Sequence, residues 1–147
     1  MTQDQKELLL KDLSARLPYG VKFPMMCWDD KIGETIRPVT LYSINKDGYC
    51  HVSEDDYSPY IDEVKPYLFP LSSMTDELWD KEFMGCGITE FTRDSFKYGC
   101  ETLEFNNNNP HLSSMVSFIN QLIKNHFDIY GLIPMGLAID ATGLNIY

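Results

Sequence analysis

Thiols and imidazoles are the side chains of this sequence that could carry out covalent chemistry. A thiol becomes a nucleophile when a neighbouring base or charge lowers its pKa, so cysteines and histidines are read together. The chain contains four cysteines and three histidines: Cys27, Cys50, Cys86, Cys100, His51, His111 and His126. It carries no local signature of a nucleophilic enzyme such as Gly-x-Ser-x-Gly. We therefore predict no catalytic residue.

Metal and phosphate binding are also not predicted. Zinc sites use closely spaced ligands, and the chain has neither Cys-x-x-Cys nor His-x-x-x-His. Cys50 and His51 are adjacent, so on a strand they would face opposite sides. Gly131 and Gly136 are isolated turn glycines and do not form a phosphate loop. We expect no cofactor and no metal, and we interpret His126 as a cation near the end of a helix.

An aromatic cluster is the candidate partner-binding site. It comprises Tyr57, Tyr60, Tyr67 and Phe69, among several prolines. Aromatic side chains beside prolines on strand edges can form a groove for a protein partner. Packing in the core explains the same residues, and aromatic burial favours it. In that case residues 64–75 form an extended connector into a helix, with Tyr67 and Phe69 packed inward.

Composition and charge limit the possible partners. Hydrophobic residues make up 44% of the 147 residues, which excludes a disordered chain. The net charge of −10 repels phosphate backbones and anionic membranes, so direct nucleic-acid binding is disfavoured and no membrane association is expected. The charge has two interpretations: solubility, or imitation of nucleic acid to block a basic partner.

The predicted compartment is the cytoplasm. The sequence starts without a basic stretch followed by an apolar run, which argues against a signal peptide. No apolar stretch reaches the length of a membrane span. The cysteines are then expected to be reduced thiols.

Helices are predicted in three places. The first begins at Thr2, in capping-box spacing with Gln5, and places leucines on one face before Pro18 and Gly20 end it. These leucines are Leu9, Leu10, Leu13 and Leu17. Ser73 or Thr75 caps the second helix, over about residues 76–83. Asn109 and Pro110 begin the third.

The third helix has the clearest apolar stripe. We expect five of its residues to be buried against a sheet: Leu112, Met115, Ile119, Leu122 and Ile123. Replacing Ile119 with alanine should then cost on the order of 2–5 kcal/mol.

Strands are predicted between the first two helices. The ranges are 21–28, 38–44, 49–53 and 61–68, with a hairpin turn at Asp47-Gly48. The edge of strand 21–28 could dimerise, but Pro24 argues against edge pairing because it removes a backbone donor. The sequence leaves the oligomeric state open. Further strands are predicted within 88–92 and 102–105, and residues 137–147 form a possible closing hairpin.

These elements predict a single α+β domain over residues 1–147. Short strands at this spacing favour a small antiparallel sheet, either an SH3-like barrel or a bent sheet, accompanied by three helices. No internal repeat or long linker divides the chain.

Three stretches carry a resemblance to a known group of proteins. They are residues 13–22 (LSARLPYGVK), 64–75 (VKPYLFPLSSMT) and 125–138 (NHFDIYGLIPMGLA). They resemble a group of uncharacterised small proteins from gut bacteria and their phages. The resemblance implies a phage or mobile-element setting, with a host-cell cytoplasmic location if the protein is phage-encoded. It implies no activity and no catalytic residue.

The functional hypothesis is a non-enzymatic interaction module with a protein partner. A full core pattern without a convergent catalytic set favours it over an enzyme. One alternative is an inhibitor of host defence that acts by acidic nucleic-acid mimicry or by sequestering a ligand. The second alternative is a small cytosolic enzyme.

Overall fold

The fold is taken from a computed structural model, which describes residues 1–52, 57–83 and 112–147. Two compact units divide the chain. The first unit is Met1–Leu68 with Tyr130–Tyr147, and the second is Phe69–Ile129. In the described residues, the chain forms three α-helices and an antiparallel three-stranded sheet that does not close into a barrel. The α+β class is therefore confirmed with an open sheet, while the single domain over 1–147 stays a prediction.

Helix α1, Gln3–Arg16, begins as the sequence predicts. The Thr2 hydroxyl accepts a hydrogen bond from the Gln5 N–H, and the Gln5 side chain accepts one from the Thr2 N–H. A short 3-10 turn at Leu17–Tyr19 follows. Gly20 then ends the helical segment with a φ of 68°, a left-handed conformation that glycine adopts without strain.

The buried face of α1 differs from the prediction at one leucine. Leu9 and Leu13 are buried, but Leu10 is 40% exposed because it lies about 100° around the helix from Leu9. Asp12 and Arg16 occupy the buried face instead. The Arg16 Nε and a terminal guanidinium nitrogen donate to the two Asp12 carboxylate oxygens at 2.8 and 2.7 Å. The i, i+4 spacing allows this two-point contact, which compensates both buried charges.

The sheet of the first unit has the order β1-β2-β3. Its strands are β1 (Lys22–Asp29), β2 (Gly33–Ile44) and β3 (Cys50–Val52). Strand β2 begins five residues earlier than predicted, because it pairs with β1 from Gly33 onward. The predicted Asp47-Gly48 turn is present, with Gly48 at a φ of 90°.

A second, parallel strand pair replaces two of the predicted strands. Tyr67–Leu68 (β4) pairs with Ile139–Asp140 (β5). The predicted strand over 61–68 is therefore mostly wrong: Ile61–Glu63 is a 3-10 turn, because the Glu63 carboxylate accepts from the backbone N–H of Tyr60 and closes a cap. The predicted hairpin over 137–147 is also wrong, because β5 pairs with β4 and not with a strand that follows it in the chain.

The second unit contains helices α2 (Asp76–Glu82) and α3 (Leu112–Lys124). Thr75 caps α2 by accepting from the Leu78 N–H, as predicted. The rings of Trp79, Phe83 and Phe118 pack together, with Phe83 and Phe118 centroids 5.5 Å apart. The predicted strands within 88–105 and the predicted start of α3 at Asn109 lie outside the described residues.

The buried face of α3 corrects the predicted stripe. Phe118, Leu122 and Ile123 are buried, but Ile119 is 37% exposed. The burial of Ile119 was therefore predicted wrongly, because apolar residues at helical spacing define two overlapping stripes and the prediction followed the one without Phe118. The buried neighbours are an aromatic cluster. Met115 is half-buried, and the Leu112 side chain lies outside the description.

His126 lies just beyond α3 and closes its C-terminus. Its φ is 60°, and its N–H donates to the Ile123 carbonyl, while the Phe127 N–H donates to the Leu122 carbonyl. These two bonds form a Schellman motif, in which glycine usually occupies the left-handed position. The His126 side chain is buried, so its position after the helix is structural.

Candidate functional site

The hairpin formed by β1 and β2 is apolar on both of its faces. Side chains alternate along a strand, so neighbouring residues point to opposite sides of the sheet. One side of the hairpin is buried in the first unit through Phe23, Met25, Cys27, Val39 and Leu41. The other side is directed away from this core and is also lined by large apolar residues.

We call this second side the hairpin face and define it by Pro24, Met26, Trp28, Ile36 and Pro38. Met26 and Ile36 are cross-strand partners at its centre and are 61% and 67% exposed. Trp28 is 71% exposed.

Two prolines extend the hairpin face on one side of the Met26–Ile36 pair. Pro24 of β1 lies opposite Pro38 of β2. Tyr42, further along β2, is also largely exposed. A contiguous row of exposed apolar residues on a sheet is unusual unless something covers it.

The charges of the hairpin are balanced. Residues 22–44 contain three acidic side chains (Asp29, Asp30, Glu34) and three basic ones (Lys22, Lys31, Arg37). The whole chain has a net charge of −10, so all of the excess negative charge lies outside this segment. The hairpin is thus an electrically neutral region of a strongly acidic protein.

The four aromatic residues predicted as a partner site have different surroundings. Tyr57 is 58% exposed, whereas Tyr60, Tyr67 and Phe69 are half-buried. Glu63 joins two of them: its Oε2 accepts from the Tyr57 hydroxyl at 3.4 Å and from the Tyr60 N–H at 2.7 Å. The negative charge of Glu63 raises the pKa of Tyr57.

Three of these aromatic residues also form contacts within their own units. Lys6 Nζ donates to the Tyr60 hydroxyl at 2.6 Å. The Tyr67 carbonyl accepts from the Tyr147 hydroxyl, and the Phe69 ring packs against Phe127 in the second unit. Tyr67 and Phe69 are not both in solvent, which agrees with an inward-packed connector. Their role as a partner site stays a prediction.

The described thiols are poorly suited to nucleophilic chemistry. Burial raises the pKa of the Cys50 thiol from 9.0 to about 11, which keeps it protonated at neutral pH. Cys27 is buried, and its thiol contacts the Met25 carbonyl. Cys86, Cys100 and His111 lie outside the described residues.

His51 contacts a serine in the described part of the chain. Its Nδ1 lies 3.2 Å from the Ser58 Oγ at an exposed site. Among the residues with described positions, no group of three or more histidine, cysteine or carboxylate side chains could hold a metal ion.

The hairpin face was not predicted, although the sequence contains its signal. A half-buried strand alternates apolar and polar residues. Residues 23–28 read Phe-Pro-Met-Met-Cys-Trp and contain no polar residue that would mark a solvent side. This unbroken apolar run indicates a strand that is apolar on both faces.

Comparisons with known proteins place the chain in no family. No family model matches it, and neither a curated protein nor a solved structure does. In the described part of the chain, none of the helices has the length and apolar character needed to cross a membrane.

Proposed function

We propose that this protein is a non-enzymatic protein-binding module that docks through the hairpin face. The observation that carries the proposal is the exposure of Met26, Trp28 and Ile36 side by side on one face of the sheet. Tryptophan and methionine are enriched in protein interfaces, and tryptophan is among the residues that contribute most to binding. The phage or mobile-element setting of this activity rests on the resemblance of the three sequence stretches.

Strand geometry supports docking on the face. The cross-strand pairs Met26–Ile36 and Pro24–Pro38 lie on two hydrogen-bonded strands, so the paired backbone fixes the positions from which these side chains project. A partner that covers these residues therefore orders no additional backbone, and the two proline rings have little rotamer freedom to lose. Such pre-organisation lowers the entropic cost of binding.

Capture of partners by variant proteins tests this proposal. Ile36→Lys places a charge at the centre of the hairpin face and should abolish capture of any partner that docks there. Met135→Lys is the matched control, because Met135 is also exposed but lies outside the face, and the charge change is the same. A partner captured by the wild type and by Met135→Lys, but not by Ile36→Lys, is then purified and titrated against each variant. Equal binding to all three proteins would contradict the proposal.

Acidic mimicry of nucleic acid is the second candidate function, and the segregation of charge favours it. The excess negative charge lies outside residues 22–44. A basic partner would therefore be attracted to the other parts of the chain. Salt separates the two functions. Binding through opposite charges weakens steeply as ionic strength rises, whereas binding through the apolar hairpin face changes little. Titration of the captured partner at low and high salt therefore distinguishes them.

A further inference from the structure

We infer that the partner of the hairpin face is the same face of a second copy of this chain, in a two-fold-symmetric dimer. This inference rests on the proposed docking function and names its partner. In a two-fold interface the same patch is used on both copies, so the patch must be complementary to itself. The hairpin face meets this requirement in charge and backbone chemistry.

Charge complementarity is the first argument. Lys22 and Glu34 lie at opposite ends of the face, because Lys22 pairs with Thr40 and Glu34 pairs with Trp28 in the register. Trp28 lies six residue positions beyond Lys22 along β1, or about 20 Å of extended strand. A two-fold axis that lies between the two faces at the Met26–Ile36 region and runs across the strands places Glu34 of each copy near Lys22 of the other. The two ends of the dimer therefore each bring opposite charges together.

Lys22 keeps donors for that contact. Its Nζ donates to the Ile146 carbonyl at 2.8 Å and lies 5.7 Å from the centre of the Tyr147 ring. An ammonium group has three N–H donors, so two are left for a carboxylate after the Ile146 bond. The Ile146 bond also restrains the lysine, which lowers the entropic cost of an ion pair.

Long-range charge is the second argument. Two copies with a net charge of −10 each repel one another over most of their surfaces. Residues 22–44 have equal numbers of acidic and basic side chains, so this repulsion is smallest where the hairpins meet. A second copy is thus accommodated best at the apolar, neutral hairpin.

The outer edge of β1 supplies the third argument, because it disfavours the common alternative of strand-to-strand pairing. Neither Pro24 nor Pro38 has an N–H, so this cross-strand pair is a non-hydrogen-bonded one and Pro24 directs its nitrogen to the outer edge. Lys22, two residues before Pro24, also directs its backbone N–H to this edge, and that N–H donates to the Tyr147 hydroxyl at 3.1 Å. Two of the four outward-directed positions of β1, Lys22 and Pro24, therefore offer no donor to a second strand. This disfavours edge pairing at that end of β1 and favours packing on the face.

A charge-reversal experiment tests the arrangement. Glu34→Lys and Lys22→Glu each replace two opposite-charge contacts with two like-charge contacts, so each variant alone should dimerise about tenfold more weakly than the wild type. An equimolar mixture of the two variants forms heterodimers in which both contacts are again opposite in charge. The mixture should therefore recover the wild-type dimer. Sedimentation velocity over a concentration series measures all four samples.

Two further variants keep the test decisive. Ile36→Lys should give a monomer. This variant leaves Lys22 unchanged, and so it keeps the contacts of Lys22 with Ile146 and Tyr147 that stabilise the fold. Met135→Lys, which adds the same charge at an exposed position outside the face, should dimerise like the wild type. Circular dichroism of each variant confirms that it is folded before it is compared.

The outcomes separate this inference from the proposed function. A wild type that stays monomeric up to its solubility limit overturns the second-copy inference alone. The proposed docking function would still be supported if the wild type captured another protein and Ile36→Lys abolished that capture. A dimer that persists in Ile36→Lys also overturns it. A dimer that Ile36→Lys abolishes but the variant mixture does not restore overturns the two-fold arrangement. If Ile36→Lys changes neither self-association nor partner capture, both proposals fail.

Discussion

The two units of the chain bury different kinds of side chain. The core of the first unit is mainly aliphatic, with Phe23 as the aromatic member of its described cluster, and the same unit buries an Asp12–Arg16 ion pair. In the second unit, four of the six buried members of the described cluster are aromatic. Backbone pairing positions the core residues of the first unit, whereas ring-to-ring contacts position those of the second. The units should therefore respond differently to loss of a charge, of a ring or of a proton.

Loss of one charge from the first unit should have the largest effect. Asp12→Ala leaves the guanidinium of Arg16 buried without its carboxylate and should reduce the free energy of unfolding by about 3–5 kcal/mol. The double variant Asp12→Leu, Arg16→Met removes both charges and should cost less than Asp12→Ala alone. Urea unfolding followed by circular dichroism, with amide exchange at Leu9 and Leu13, measures both. A double variant less stable than the single one would contradict the expectation.

Loss of one ring from the second unit should have the next largest effect. Phe118→Ala leaves a cavity beside Trp79 and Phe83 and should cost about 3 kcal/mol, at the lower end for such a change because neighbouring rings can partly fill the space. Trp79 is buried, so its emission reports unfolding of this unit in a Trp28→Phe background. Ile119→Ala is the control on the same helix and should cost less than about 1 kcal/mol, because Ile119 is 37% exposed. Equal costs would show that the described face of α3 is wrong.

Alkaline pH should weaken the first unit. Burial raises the pKa of Cys50 from 9.0 to about 11 and that of Tyr147 from 10.0 to about 12. Both groups hold their protons more tightly in the folded chain than in the unfolded chain. Their contribution to stability is therefore complete below pH 9 and is lost as the pH rises from about 9 to about 12.

Tyr147→Phe identifies the phenol's share of this loss. The variant removes the hydroxyl that accepts from the Lys22 N–H and donates to the Tyr67 carbonyl. At neutral pH it should cost about 1 kcal/mol. The decline in urea midpoint between pH 10 and 12 should be shallower than in the wild type. An unchanged slope would show that the phenol does not contribute to the pH dependence.

The helix caps should show the smallest effects and the least difference between units. Thr2 caps α1 in the first unit and Thr75 caps α2 in the second, each by accepting a backbone N–H. Thr2→Ala and Thr75→Ala should each cost about 1 kcal/mol. Serine at either position retains the acceptor oxygen and should recover most of this stability. A cost confined to one unit would show that the other cap is not formed in solution.

Local signals in the sequence predicted the starts of α1 and α2 and the turn at Gly48 well. Thr2, Thr75 and Gly48 act through bonds or backbone angles within a few residues, so their effects can be inferred from spacing alone. The parallel pairing of Tyr67–Leu68 with Ile139–Asp140 could not be inferred this way, because it depends on which distant strand becomes adjacent. The same limit explains the misplaced face of α3: periodicity shows that a helix has an apolar side, but the aromatic neighbours decide which stripe is buried.

The candidate site was missed for a related reason. Aromatic residues near prolines directed the prediction to Tyr57, Tyr60, Tyr67 and Phe69, but tertiary contacts leave three of these half-buried. The exposure of Met26, Trp28 and Ile36 depends instead on the pairing of β1 with β2, which buries the alternate residues of the hairpin. Composition can identify an apolar strand, but it cannot show which of two apolar faces the core covers.

The parallel pair β4–β5 also affects the order in which the chain can fold during synthesis. The first unit is discontinuous: Phe69–Ile129 separates its two parts, and β5 belongs to the later part. During translation, the whole second unit is therefore synthesised before β5, the strand that pairs with Tyr67–Leu68. Until then the partner edge of β4 is unpaired, and the hairpin of β1 and β2 is complete but supported by only part of its unit. We expect nascent chains that stop before Ile139 to be the form most prone to aggregation.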